Sequence, residues 1–246
     1  MTPRRTTPRL IFPVWAGDRL ARLYGKGPDA AARVGESWEN EGRDVLVKLI
    51  DVRNRLSVQV HPGDDDARRL EGLPHGKSER WVVIEADEGA RVALGLLREM
   101  TVEELAERAL SGEIEGDLAW RPVHTGDAID VPAGTIHAIG GGVLLYEAQQ
   151  PCDVTYRLYD WGRGRALHLE KAMQVARRGP WEARPAPFRV EQVAMGRRTV
   201  RGEEALTVLR GELIVSGERV DAGQTVVLGE GIWEIGGDGE ALAAGA

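Results

Sequence analysis

Ser57, Gln59 and His61 alternate through "LSVQVHP" (56–62), and Lys77 and Glu79 stand two apart in "GKSERW" (76–81). Successive side chains of a β-strand point to opposite faces, so Ser57, Gln59 and His61 share one face while Leu56, Val58 and Val60 share the other. One face is apolar and fit for a core. The other carries a hydroxyl, an amide and an imidazole where a soluble protein ordinarily puts Val or Leu. Lys77 and Glu79 on an extended segment likewise project to one side, presenting a cation beside a carboxylate.

Strands are what the rest of the sequence supplies to hold such groups. "RLSVQV", "RWVVIEA", "ARVALGL", "DAIDV", "VLLYEAQ", "YRLYDW", "ALTVLR", "ELIVSG" and "QTVVLG" are short runs rich in β-branched and aromatic residues, separated by Gly, Pro or Asp turns. This pattern predicts an all-β sandwich or barrel. Helix signals are few: Thr101 and Glu104 form a capping box ahead of an apolar stripe at Val102, Leu105, Ala106, Ala109 and Leu110, with Gly112 as the stop, and a weaker helix is expected over Asp65 to Leu70. The Pro-rich "GPWEARPAP" (179–187) reads as a connector. The expected division is a larger domain over 1–178, carrying these chemical groups, and a reduced β lobe over 188–246, which holds no histidine.

Composition excludes several functions. With 39 acidic against 32 basic residues and a net charge of −7, the chain is poorly suited to neutralising nucleic-acid phosphates. Cys152 is the single cysteine, so neither an intrachain disulfide nor a thiolate metal cluster can be built. The apolar run Leu10 to Val14 is broken by Pro13 and is too short for a signal core, and no stretch reaches the roughly 20 apolar residues that span a bilayer. A cytoplasmic protein without membrane partners is expected.

A second chemical stretch follows, "GDAIDVPAGTIH" (126–137). Gly126, Pro132, Gly134 and His137 have the spacing Gly-x5-Pro-x-Gly-x2-His, which resembles the second signature motif of the cupins, with His137 at the metal-ligand position and Gly141 where those proteins usually carry Asn. Together with "GESWE" (35–39), "LSVQVHP" (56–62), "GKSERW" (76–81) and "VPAGTIHAIGGGVLLYEAQQPCDVTYRLYD" (131–160), the sequence resembles the type I mannose-6-phosphate isomerases over roughly residues 10 to 175.

The resemblance implies a cupin jelly roll and one Zn²⁺ per chain held by Gln59, His61, Glu79 and His137. Imidazole and carboxylate suit that ion, and a thiolate-free set leaves it Lewis-acidic. Gln59, a neutral amide, either ligates the ion or orients a water. The resemblance also implies a sugar-phosphate substrate, with Ser57 as a phosphate-contacting serine and Arg157 as the active-site arginine; Lys77 is a second cation on the metal side. An aldose–ketose isomerisation through an enediol needs a proton carrier, and Glu147, Asp153 and Lys77 are the candidates, Glu147 and Asp153 being alternatively braces for the cations. The competing readings are a related sugar isomerase or epimerase, and a non-catalytic sugar-binding cupin. A cupin dioxygenase is disfavoured because its usual H-x-H pair is Gln59-Val60-His61 here.

Overall fold

The computed structural model describes residues 1–246. Strands dominate and the helices are few and short, as the turn-punctuated β-branched runs led us to expect. The chain forms two compact units, one of Met1–Asp51, Leu144–Ala148 and Pro187–Ala246, the other of Val52–Val143 and Gln149–Ala186. The boundary at 186/187 falls in the Pro-rich connector. The expected 1–178 segment, however, is shared between the units, because the N-terminal segment adds to the C-terminal lobe: strand Arg4–Arg5 pairs with strand Thr225–Gly237, and the Tyr24 hydroxyl donates to the Leu209 carbonyl at 3.0 Å.

The unit containing residues 52–143 is built on a five-stranded antiparallel sheet with the order Tyr156–Tyr159, Val58–Val60, His137–Ile139, Arg91–Leu96, Leu118–Pro122. Strand Glu79–Ala86 pairs with Ala128–Val131 in the same unit. Val58 and Val60 are fully buried in a core with Ala93, Ala138 and Leu158, closed by Leu105 and Ala109 of helix Val102–Ser111 and by Ala172 and Val175 of helix Leu169–Val175. Each such valine contributes roughly 1.5–3 kcal/mol. This burial fixes the register that puts Ser57, Gln59 and His61 on the other face. Helix Val102–Ser111 starts where the capping box placed it, with the Thr101 hydroxyl accepting the Glu104 N–H, and ends at Gly112 with φ 82°. The weaker helix runs Asp64–Glu71.

The other unit carries an antiparallel sheet in which the long strands Gly196–Arg210 and Thr225–Gly237 pair along most of their length, with a bulge between Val200 and Glu203. Its core includes Val200, Leu206, Val208, Leu213, Leu228 and Trp233. The same unit holds an antiparallel run of Arg9–Ile11, Glu36–Trp38 and Leu46–Val52.

Candidate metal centre

Backbone pairing brings the chemical residues into one row. Gln59 is the direct Cα partner of His137 on one side and of Arg157 on the other. Directly opposed residues in an antiparallel ladder share a face, so Arg157, Gln59 and His137 line up across three strands. His137 opens its strand after a tight turn in which the Thr135 N–H donates to the Pro132 carbonyl at 3.1 Å. Gly134 in that turn has φ 84°, and a Cβ there would lie 3.0 Å from the Val175 carbonyl oxygen, which requires glycine. At Gly141, where cupins usually place Asn, a Cβ would lie 2.4 Å from the Arg53 carbonyl oxygen, so the departure from the motif follows from a close backbone approach.

His61, Glu79 and His137 converge with candidate ligand atoms all within 4.8 Å of one another, and all three are buried. His61 Nδ1 lies 2.9 Å from the Val154 carbonyl oxygen and His137 Nδ1 2.9 Å from that of Thr135. A carbonyl only accepts, so both Nδ1 atoms carry the proton and both Nε2 atoms are acceptors through their lone pairs. Those lone pairs face Glu79, His61 Nε2 at 3.1 Å from Oε1 and His137 Nε2 at 3.8 Å from Oε2. Trp81 Nε1 donates to Glu79 Oε2 at 3.1 Å and fixes the carboxylate.

Protonation agrees with a metal ligand set. Burial pushes the His61 imidazole down to about 3, with the Lys77 cation acting in the same direction against Glu79, and burial likewise lowers His137. Burial opposes ionisation of Glu79, but the Lys77 ammonium beside it outweighs burial and holds the carboxyl well below the usual range. Two neutral imidazoles and an ionised carboxylate therefore face one point. His61 Nε2 is a buried acceptor with no hydrogen-bond donor, and it faces Glu79 Oε1, a buried carboxylate oxygen whose cation is Lys77, 3.0 Å away. An imidazole lone pair buried without a donor against a carboxylate oxygen is costly and is resolved by a cation between the two. The residues fit a divalent metal.

Gln59 sits at the rim of this cluster, Nε2 3.2 Å from His137 Nε2 and Oε1 3.3 Å from the Ser57 hydroxyl. Lys77 is buried, its ammonium 3.0 Å from Glu79 Oε1. Its segment is fastened to the one following His61: the Lys77 N–H donates to the Pro62 carbonyl at 2.9 Å, and a Cβ on Gly76 would lie 2.5 Å from the Gly63 backbone. Arg157 donates from Nη1 to the Ala166 carbonyl at 2.7 Å, and its Nε is buried without a partner. Burial and the neighbouring Arg165 lower its pKa.

The proton-carrier candidates are distributed differently. Glu147 lies on strand Val143–Gln149, buried, with Oε1 3.6 Å from the Lys48 ammonium. Asp153 is exposed in the segment before strand Tyr156–Tyr159. Sequence reasoning passed over Lys48, which is buried at the Glu147 carboxylate, 3.9 Å from Glu36 and 4.1 Å from the Trp38 ring centroid. Its signal was a lone cation inside the apolar run "LVKLIDV". His168 accepts the Arg157 backbone N–H at Nδ1, 3.0 Å away.

A cupin-like β fold carrying a buried His-Glu-His cluster competent for metal is the class these observations define. No protein-family model matches the chain. It is 44% identical over 149 residues to the mannose-6-phosphate isomerase of Streptococcus mutans, covering 58% of this chain and 46% of that one. It is 38% identical over 217 residues, 71% of this chain and 68% of the other, to YvyI of Bacillus subtilis, which is assigned to the mannose-6-phosphate isomerases. The crystal structure of the Bacillus subtilis mannose 6-phosphate isomerase shares the fold with a TM-score of 0.83 at 24% identity, covering 100% of both chains. The chain belongs to the mannose-6-phosphate isomerase family. It spans about half the length of the Streptococcus mutans relative.

Proposed function

We propose that the chain interconverts mannose 6-phosphate and fructose 6-phosphate through an enediol, with one Zn²⁺ held by Gln59, His61, Glu79 and His137. The observation that carries this reading is the His61 Nε2 lone pair, buried without a donor and 3.1 Å from the Glu79 Oε1 carboxylate oxygen, in a buried cluster of one carboxylate and two neutral imidazoles. The substrate is supported by the relatives named for it. Bound zinc supplies a Lewis acid for a sugar oxygen.

The chain's own groups do the rest. Ser57 and the cations Lys77 and Arg157 bind the phosphate or the oxygen on which negative charge develops, charge-assisted contacts that gain strength away from bulk water. Arg157 is suited to this because its buried Nε is an unused donor. Glu147, Asp153 or Lys77 holds the proton that moves between C1 and C2. The reading places this chemistry in the cytoplasm.

A coupled assay of the purified, zinc-loaded protein on mannose 6-phosphate beside unphosphorylated mannose tests the proposal. Turnover of the phosphorylated sugar alone is expected. Binding of the sugar phosphate without turnover would leave a sugar-binding cupin in its place.

A further inference from the structure

Arg157 is held by a segment that has just reversed direction. Beyond strand Tyr156–Tyr159 the chain turns at Trp161 (φ 54°) and Gly162 (φ 73°), two successive left-handed residues, one of which is not glycine. Such a conformation at Trp persists only where the surroundings over-determine it. Trp161 is held by its own contacts, Nε1 donating to the Leu56 carbonyl and the Arg55 guanidinium lying 4.2 Å from its ring centroid, and Asp160 anchors the turn beside it. The Asp160 side chain is 3% exposed and gathers two cations: Arg163 Nη2 donates to Oδ1 at 2.7 Å, while Arg165 donates from Nε to Oδ2 at 2.8 Å and from Nη2 to Oδ1 at 2.5 Å.

The backbone of Asp160 takes part as well, its carbonyl accepting the Arg163 N–H at 3.0 Å and Arg163 Nε at 3.1 Å. Arg163 Nη1 then donates to the Arg55 carbonyl at 2.8 Å, tying the turn to the segment that leads into the Gln59 strand. The returning chain closes on Arg157 at three points. The His168 N–H donates to the Arg157 carbonyl at 2.8 Å, His168 Nδ1 accepts the Arg157 N–H at 3.0 Å, and the Ala166 carbonyl accepts from Arg157 Nη1 at 2.7 Å.

We infer that Asp160 is a positioning residue for Arg157, drawing Arg163 and Arg165 onto one carboxylate and so closing the turn that delivers the Ala166 carbonyl to the Arg157 guanidinium. The inference rests on the isomerase role proposed for Arg157. Two guanidinium groups, those of Arg163 and Arg165, lie on Asp160; burial, then Arg165 and Arg163, disfavour the charged form of Arg157, while Asp160 favours it. Removing the carboxylate charge leaves Arg163 and Arg165 uncompensated beside Arg157 and releases the turn.

A double-mutant cycle reads this directly. In the zinc-loaded protein, Asp160→Asn is expected to lower kcat/KM for mannose 6-phosphate by about tenfold or more with metal content unchanged, and Asp160→Asn combined with Arg157→Met to be no slower than Arg157→Met alone. A loss in the double variant equal to the product of the two single losses overturns the inference. So does a wild-type kcat/KM in Asp160→Asn. If Asp160→Asn does not fold, Arg165→Lys, which removes the two-point contact and keeps the charge, carries the same cycle. A second reading needs no turnover: the Arg157 Nε–H resonance, identified by its loss in Arg157→Met, is expected to shift and to exchange faster with solvent in Asp160→Asn. An unmoved resonance contradicts the positioning role. A wild-type chain inactive on mannose 6-phosphate would instead sink the isomerase reading, and the resonance would still decide the role of Asp160.

Discussion

Gln59 Nε2 lies 3.2 Å from His137 Nε2, and the two residues are direct partners across antiparallel strands. On its other side the amide meets the Ser57 hydroxyl, which both donates and accepts, so the amide is satisfied there in either orientation and can turn its NH₂ or its carbonyl toward His137. The strong donors are thus the two imidazoles and the carboxylate, with Gln59 secondary. Gln59→Leu is expected to weaken zinc binding by about tenfold, and His137→Ala by about a hundredfold or more. A competition titration against a chromophoric chelator measures both, and unchanged affinity in His137→Ala would remove that residue from the ligand set.

Lys77 and Arg157 are separate from the ligands and separable by kinetics. Lys77→Met and Arg157→Met are each expected to lower kcat/KM by about tenfold or more, equivalent to about 1.4 kcal/mol of transition-state stabilisation, while the protein keeps its metal. Normal kinetics in both variants would make them structural charges.

Much of this arrangement is legible in the sequence where local physics decides it. The alternation of Val58 and Val60 with Gln59 sets the strand face, the Thr101–Glu104 box sets a helix start, and the Gly134 turn sets where His137 enters its strand. Strand Leu46–Val52 was missed because Lys48 and Asp51 interrupt its apolar run; in the structure both are buried against partners contributed by distant segments, Lys48 by Glu36 and Glu147 and Asp51 by Arg19. The final strand, Glu240–Gly245, is Ala- and Gly-rich and takes its conformation from pairing on both sides, with Arg189–Gln192 and Gly196–Arg210. The Asp160 turn was invisible for the same reason: its contacts to Arg163 and Arg165 depend on a reversal at Trp161 that no residue propensity announces.

Asp51 gives a pH dependence away from the metal cluster. Burial pushes its carboxyl up to about 6, only partly offset by the Arg19 backbone N–H, which donates to Oδ2 at 2.6 Å. A carboxyl raised in the folded state contributes stability that is present below its unfolded pKa of about 3.8 and is lost as pH rises through about 6. A shift of this size corresponds to roughly 3 kcal/mol. Asp51→Asn keeps an acceptor for Arg19 and removes the titration. Chemical denaturation at pH 5 and pH 8 is expected to show wild type losing more stability over that interval than Asp51→Asn; parallel losses would contradict the assignment.

Enediol chemistry leaves an isotopic trace. A side-chain base holding the transferred proton can exchange it with solvent, so turnover in heavy water is expected to place deuterium at C2 of mannose 6-phosphate or C1 of fructose 6-phosphate. Glu147→Gln is expected to lose turnover and exchange while retaining zinc. Exchange surviving in that variant moves the proton to Asp153 or Lys77, and complete absence of label in the native protein over many turnovers counts against the enediol route.

On the proposed function, the His61–Glu79–His137 cluster holds the metal on which isomerisation depends. Chelator-treated, metal-free protein assayed on mannose 6-phosphate before and after addition of one equivalent of Zn²⁺ tests it most directly. Activity is expected to fall to background on stripping and to return with stoichiometric zinc in the native chain, with little or none returning in His137→Ala. Full turnover by the metal-free protein would contradict the account.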